Sequence, residues 1–157
     1  MKRICYILAL SLMANPAYAL SCMKPDVAQA YGMASQSAKT YVVLKGVFSF
    51  EDALPPAVRE NPQSLNLEAQ FAGQLLTARG FTEDVAAPVE ITLTCAGPWC
   101  ATLNPASTHL AFVEVEGRQL RMTVGPCYQS LFADPANDTL KRIEQCAASG
   151  PCEPEAQ

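Results

Sequence analysis

Seven cysteines, a single histidine and two pairs of adjacent carboxylates are the side chains of this chain best suited to chemistry. The cysteines stand at positions 5, 22, 95, 100, 127, 146 and 152. A zinc site usually spaces paired thiolate ligands by two residues and often recruits histidines. The 95–100 and 146–152 spacings do not follow that step, and His109 is the one histidine on offer. No metal ligand set is therefore assigned. His109 has Ser107 and Thr108 beside it, but neighbours in sequence rarely present a usable nucleophile and base to each other. The chain has no Gly-x-Ser-x-Gly elbow and no His-Glu-x-x-His helix. His109 reads as a surface-loop residue. Glu51-Asp52 and Glu83-Asp84 sit side by side rather than across a cleft, which is not how paired acids hydrolyse a glycoside. No EF-hand pattern surrounds either pair, so solvated loop charge is the expectation. No catalytic residue and no cofactor are predicted.

What the cysteines do depends on where the chain resides. Lys2 and Arg3 precede a nearly unbroken apolar run from Ile4 to Ala14, and Ala17-Tyr18-Ala19 places small residues at the two positions a signal peptidase reads. The run is too short to span a bilayer. Residues 1–19 thus read as a removable leader, and the chain as periplasmic or secreted. A competing reading makes Cys22 a lipidated first residue. That chemistry usually wants a large aliphatic residue three places earlier, where Ala19 stands. With Cys5 removed, Cys22, Cys95, Cys100, Cys127, Cys146 and Cys152 form an even set in an oxidising compartment, which predicts three disulfides among fifteen possible connectivities. A redox role for Gly97-Pro98-Trp99-Cys100 is disfavoured. Such dithiols place two residues between their cysteines and a helix after them, whereas here four intervene and a strand follows.

Composition narrows the partners. After residue 19 the chain carries 9 basic and 15 acidic residues, a net charge of −6. Lys141-Arg142 is the one adjacent basic pair in that stretch, so a phosphate backbone would be repelled and nucleic acid is not an expected ligand. Residues 20–152 fit one domain and 153–157 a flexible tail.

The elements that must position these residues follow from periodicity. Val27, Ala30, Tyr31 and Ala34 share a helical face within 25–38. Thr40 to Phe50 is dense in β-branched and aromatic residues, with Gly46 as a bulge or bend. Residues 51–62 form a proline-rich loop. Leu65, Leu67, Ala69 and Phe71 alternate as in a strand reaching Leu76, although Leu67, Phe71 and Leu75 also suit a helix; the strand is favoured. A turn region over 79–88 leads to strict alternation from Val89 to Cys95. Residues 110–115 and 120–124 form a hairpin about Glu116-Gly117, and Asp134-Pro135 opens a helix whose face holds Leu140, Ile143 and Ala147. Helix, five strands, helix predicts a mainly β fold: a five-stranded OB-like barrel with a short amino-terminal and a carboxy-terminal helix, disulfide-stapled. A β-sandwich is the rival, but it normally needs about seven strands.

A cysteine near the mature start, a short Ala-rich helix and the strand Val42-Val43-Leu44-Lys45-Gly46-Val47 resemble the netrin-like domain, the OB-type fold shared with tissue inhibitors of metalloproteinases. Ala96-Gly97-Pro98-Trp99-Cys100 sits where such domains carry a loop cysteine. Leu120 to Cys127 resembles their fifth strand ending at the next cysteine, and Cys146 lies in the last helix. The resemblance implies that Cys22 pairs with Cys127 or Cys100. If Cys95 and Cys100 close their own loop, Cys22–Cys127 and Cys146–Cys152 remain. Those inhibitors chelate zinc through the free amine of a terminal cysteine, whereas cleavage after Ala19 would leave Leu20 and Ser21 ahead of Cys22. The family's Cys-x-Cys start is also reduced to one cysteine. The expected function is a non-enzymatic binding module for another exported or envelope protein. Its expected interaction edge is Leu20, Ser21, Cys22 and Met23 together with Gly97, Pro98 and Trp99. An inhibitor with altered terminal chemistry, or a small envelope enzyme using His109, are the other classes.

Overall fold

The structure, a computed structural model, describes residues 20–58, 61–150 and 152–153. The leader expected over 1–19 and positions 154–157 of the expected tail lie outside these residues. Helix α1 (Val27–Ser35) begins at Asp26, whose carboxylate accepts hydrogen bonds from the backbone N–H groups of Ala28 (2.7 Å) and Gln29 (3.0 Å). That cap satisfies donors the first helical turn cannot pair internally. The helix is shorter than its predicted 25–38 span at both ends.

Strands β1 (Thr40–Ser49), β2 (Leu65–Thr77) and β3 (Gly80–Leu93) form an antiparallel meander. A two-residue hairpin follows, β4 (Cys95–Ala96) with β5 (Trp99–Cys100). Strands β6 (His109–Glu116) and β7 (Gln119–Val124) form a second hairpin, and β8 (Leu131–Ala133) adds against β6. β7 runs parallel to β3, and β1 pairs with β6, which closes β1-β2-β3-β7-β6 into a mixed five-stranded barrel of OB-like type. Helix α2 (Asn137–Ser149) completes the chain.

Two apolar layers hold this together. Leu44, Phe48, Phe71, Val89, Ile91, Leu93, Val113, Met122 and Val124 fill the barrel. Val27, Ala30, Val43, Phe81, Leu110, Phe112 and Ile143 lie between the barrel wall and the two helices. The period of two sends Leu44, Ala111 and Val113 inward and Val43, Leu110 and Phe112 outward to the helices, so β1 and β6 are buried on both faces. Each large side chain so buried contributes about 1.5–3 kcal/mol. The surface pairing of Arg121 with Glu90 (2.9 Å) and with Glu116 is solvated and worth at most about 1 kcal/mol. Apolar burial dominates.

Several expectations need correction. The turn region expected over 79–88 is the first half of β3; only the residues around Arg79 turn, and Gly80 takes a φ of 90° there. Pro88 pairs with Gln70 of β2 on one side only, since β7 joins β3 from Val89 onward, and a half-paired position of that kind tolerates proline. The β2 segment is a strand, not the rival helix. Gly46 is no bulge, since its register with β2 runs through without a shift. It is needed because Gly46 and Gly73 face each other. A Cβ on Gly46 would collide with the Ala72 carbonyl oxygen and lie 2.6 Å from the Gly73 Cα and 2.8 Å from the Phe71 ring. Helix α2 starts later than Asp134-Pro135, because Asp134 is engaged by the residue just ahead of β6: its N–H donates to the Thr108 carbonyl at 2.7 Å.

Candidate functional site

The cysteines pair as Cys22–Cys127, Cys95–Cys100 and Cys146–Cys152, with Cα separations of 5.3, 3.9 and 5.0 Å. This is the set that the netrin-like resemblance leaves once Cys95 and Cys100 close their own loop. Three disulfides suit an oxidising compartment. Cys95 and Cys100 stand opposite each other in the β4–β5 hairpin, whose turn uses Gly97 at a φ of 58°. Cys22–Cys127 ties the extended segment ahead of α1 to the loop after β7.

Beside that bond lies a groove of about 450 Å³. Leu20 and Met33 line it, with Tyr41 from β1, Phe112 from β6, Tyr128 from the loop before β8 and Ala96 from the β4–β5 hairpin. None of its lining residues is charged, although the chain as a whole is acidic. Tyr128 is set firmly: its hydroxyl accepts from the Thr102 N–H (3.0 Å), and its own N–H donates to the Gly125 carbonyl (3.0 Å). Behind Phe112, its backbone N–H donates to the Ser130 carbonyl at 2.9 Å. The groove therefore has a rigid floor and an adaptable rim of Leu20 and Met33.

The structure brings Leu20 and the Cys22–Cys127 bond to the same groove as Ala96 of the hairpin. Ser21, Met23, Gly97, Pro98 and Trp99 are exposed but do not line it. Trp99 is 48% exposed and forms a bridge with Val58, itself 49% exposed, so the two make an apolar patch on the outer side of the hairpin. Sequence reasoning missed Met33, Tyr41, Phe112 and Tyr128. The available signal was Met33, an apolar residue off the buried face of α1.

The reactive residues behave differently from one another. His109 is no surface-loop residue, contrary to expectation. It opens β6, is 1% exposed, and packs its ring on Phe48 with centroids 5.7 Å apart. Its pairing partner on β1 is Gly46. Burial pushes its pKa below the ordinary value; the Asp134 carboxylate and the Ser107 backbone act weakly the other way. Its Nδ1 has no hydrogen-bond partner, and the Asp134 carboxylate accepts instead from the Thr108 N–H at 3.0 Å. Among the described residues no carboxylate hydrogen-bonds the ring to orient it as a catalytic base requires. Glu51, Asp52, Glu83 and Asp84 are exposed. Among the described residues no group of three or more His, Cys, Asp or Glu side chains is arranged to hold a metal ion. A larger hollow of about 1060 Å³ between the amino-terminal segment and α2 mixes Lys24, Lys141 and Arg142 with Asp26, Asp138 and Glu153, and so has no single sign of charge. Among the described residues no helix is long and apolar enough to cross a membrane.

No family model, curated protein or solved structure matches this chain.

Proposed function

We propose that the chain is a periplasmic or secreted, non-enzymatic interaction module of netrin-like type. It would hold an uncharged apolar segment of another exported or envelope protein at its amino-terminal edge. The observation that carries this reading is the charge-free, aromatic-floored groove beside the Cys22–Cys127 bond. Its volume falls in the range that ligand pockets occupy, and its lining is mostly apolar with a few polar groups. The neighbouring Trp99–Val58 patch adds a large exposed aromatic of the kind that anchors protein partners. Burial of the His109 ring speaks against a hydrolytic mechanism that uses it as the base.

A photo-crosslinking residue at Met33 or Trp99, with a third at Val47 as an exposed apolar control on β1, tests the reading in the exporting cell. The expected result is one shared protein adduct from positions 33 and 99 that is missing from 47. Equal labelling at all three positions would overturn it. An adduct with a zinc protease, inhibited in a manner lost on acetylating the terminal amine, would favour the inhibitor reading instead.

A further inference from the structure

We propose that His109 makes the β6–β8 seam an acid-released latch, so that a proton taken up by its imidazole unfastens β8 and with it the Tyr128–Ser130 wall of the groove. The seam is short. It consists of the pairs His109–Ala133, Leu110–Phe132 and Ala111–Leu131, flanked by Phe112 N–H to Ser130 and by the reciprocal bonds between Thr108 and Asp134. Asp134 holds its place at a φ of 44°, a conformation that costs a non-glycine residue free energy. β8 is thus fastened by few bonds at the end of the barrel where the imidazole is enclosed.

Inside that end the ring is neutral and Nδ1 has no acceptor. Protonation there would bury a cation with an unsatisfied N–H, which is costly unless water or a carboxylate reaches it. The surroundings supply little. The loop over 101–108 and β8 itself carry no charged residue. On β1 the nearest charge is Lys45, a like charge whose ammonium lies 4.6 Å from the centre of the Phe81 ring, and Glu51 and Asp52 beyond the strand are exposed. β6 has no charge before Glu114. Asp134 is the one carboxylate acting on the ring, and it is already engaged by Thr108. Opening the seam hydrates the imidazolium and frees that carboxylate to meet it.

The sign follows from linkage. The closed state binds the proton more weakly than the open state, in which the ring has an ordinary pKa of about 6.5. Closure is therefore favoured above that pH and is lost as pH falls below it. Between pH 7.5 and 5.0 the population of the open state should rise by up to about 30-fold, from an open-state pKa of about 6.5.

Because His109 is the sole histidine, one imidazole proton resonance reports it without ambiguity. Amide hydrogen exchange of the full mature chain, corrected for intrinsic rates, reports the seam, and neither readout needs a binding partner. Only the consequence for the groove rests on the proposed function. The expected result is an imidazole that stays neutral well below pH 6.5. Protection at the Phe112 and Asp134 amides should fall toward that 30-fold limit by pH 5.0, while β3 amides paired with β7 change less than about threefold. In His109→Gln the acid-dependent loss should vanish. An ordinary titration near 6.5 with protection unchanged, or the same loss in His109→Gln, would overturn the latch. Should the variant not fold, the wild-type exchange profile decides: seam protection that falls from about pH 6.5 downward while the β3 amides hold supports the latch, and seam protection that is flat over that range, or falls no more than that of β3, refutes it.

Discussion

The barrel wall around Gly46 and the amino-terminal edge around Leu20 are built on opposite principles. At Gly46 the backbone is fixed from both sides at once, by β2 through Gly73 and by β6 through His109, and the Phe71 ring covers the glycine pair. No side chain has room to change there. At Leu20 an extended segment is held by one covalent bond, and exposed Leu20 and Met33 rim a groove whose floor alone is rigid. A wall determined by its backbone makes a good foundation and a poor ligand site. A loosely determined apolar edge on that foundation is what a binding module needs.

Removing each support in turn should expose the contrast. Replacing Cys22 and Cys127 by alanine opens a loop closed across 105 residues, and chain entropy sets the loss at about 5 kcal/mol of unfolding free energy by urea titration. The edge should loosen more than the wall, seen as protease cleavage before Val27 ahead of any cleavage in β1. Gly46→Ala attacks the wall instead. Overpacking against backbone, which cannot swing aside, should cost about 3 kcal/mol and shift the denaturation midpoint while leaving the Cys22–Cys127 bond formed. If Gly46→Ala is neutral, the wall is not as tightly fixed as described. The Cys95–Cys100 pair closes a span of only 5 residues, so its removal should cost about 2 kcal/mol. Arg121→Ala should change stability by less than about 1 kcal/mol, since its partners are solvated.

The contrast also explains what the chain reveals when read as a string. Strict alternation at Val89–Cys95, the apolar runs at 40–50 and 110–115, and an even set of cysteines made the barrel and the presence of its staples legible. Periodicity reports which face is buried, and that is a local property. The burial of His109 is not local; its ring packs against Phe48, which comes from β1. Likewise Pro88 reads as a breaker until it is clear that it is paired on one side only, ahead of the point where β7 joins. β8 is three residues long, below the length at which alternation means anything, and its end diverts Asp134 from the start of α2. At the candidate edge, Leu20 was legible from its position, and the pairing of Cys22 only through the netrin-like resemblance, which left Cys127 and Cys100 both open. The groove was not, because Met33, Tyr41, Phe112 and Tyr128 come from four separate segments that only the closed barrel brings together.

The claim that the groove is a binding surface can be tested without knowing the partner. An uncharged naphthyl fluorophore, whose emission rises in apolar surroundings, should bind residues 20–157 saturably with one site. Ala34→Trp fills the groove from α1 and should abolish that binding with unfolding free energy little changed, whereas Val47→Glu, on an exposed face of β1, should leave it intact. Fluorescence titration of the three proteins side by side is the measurement. Binding lost only in Ala34→Trp is the predicted result. Equal binding by the wild type and Ala34→Trp would contradict the account.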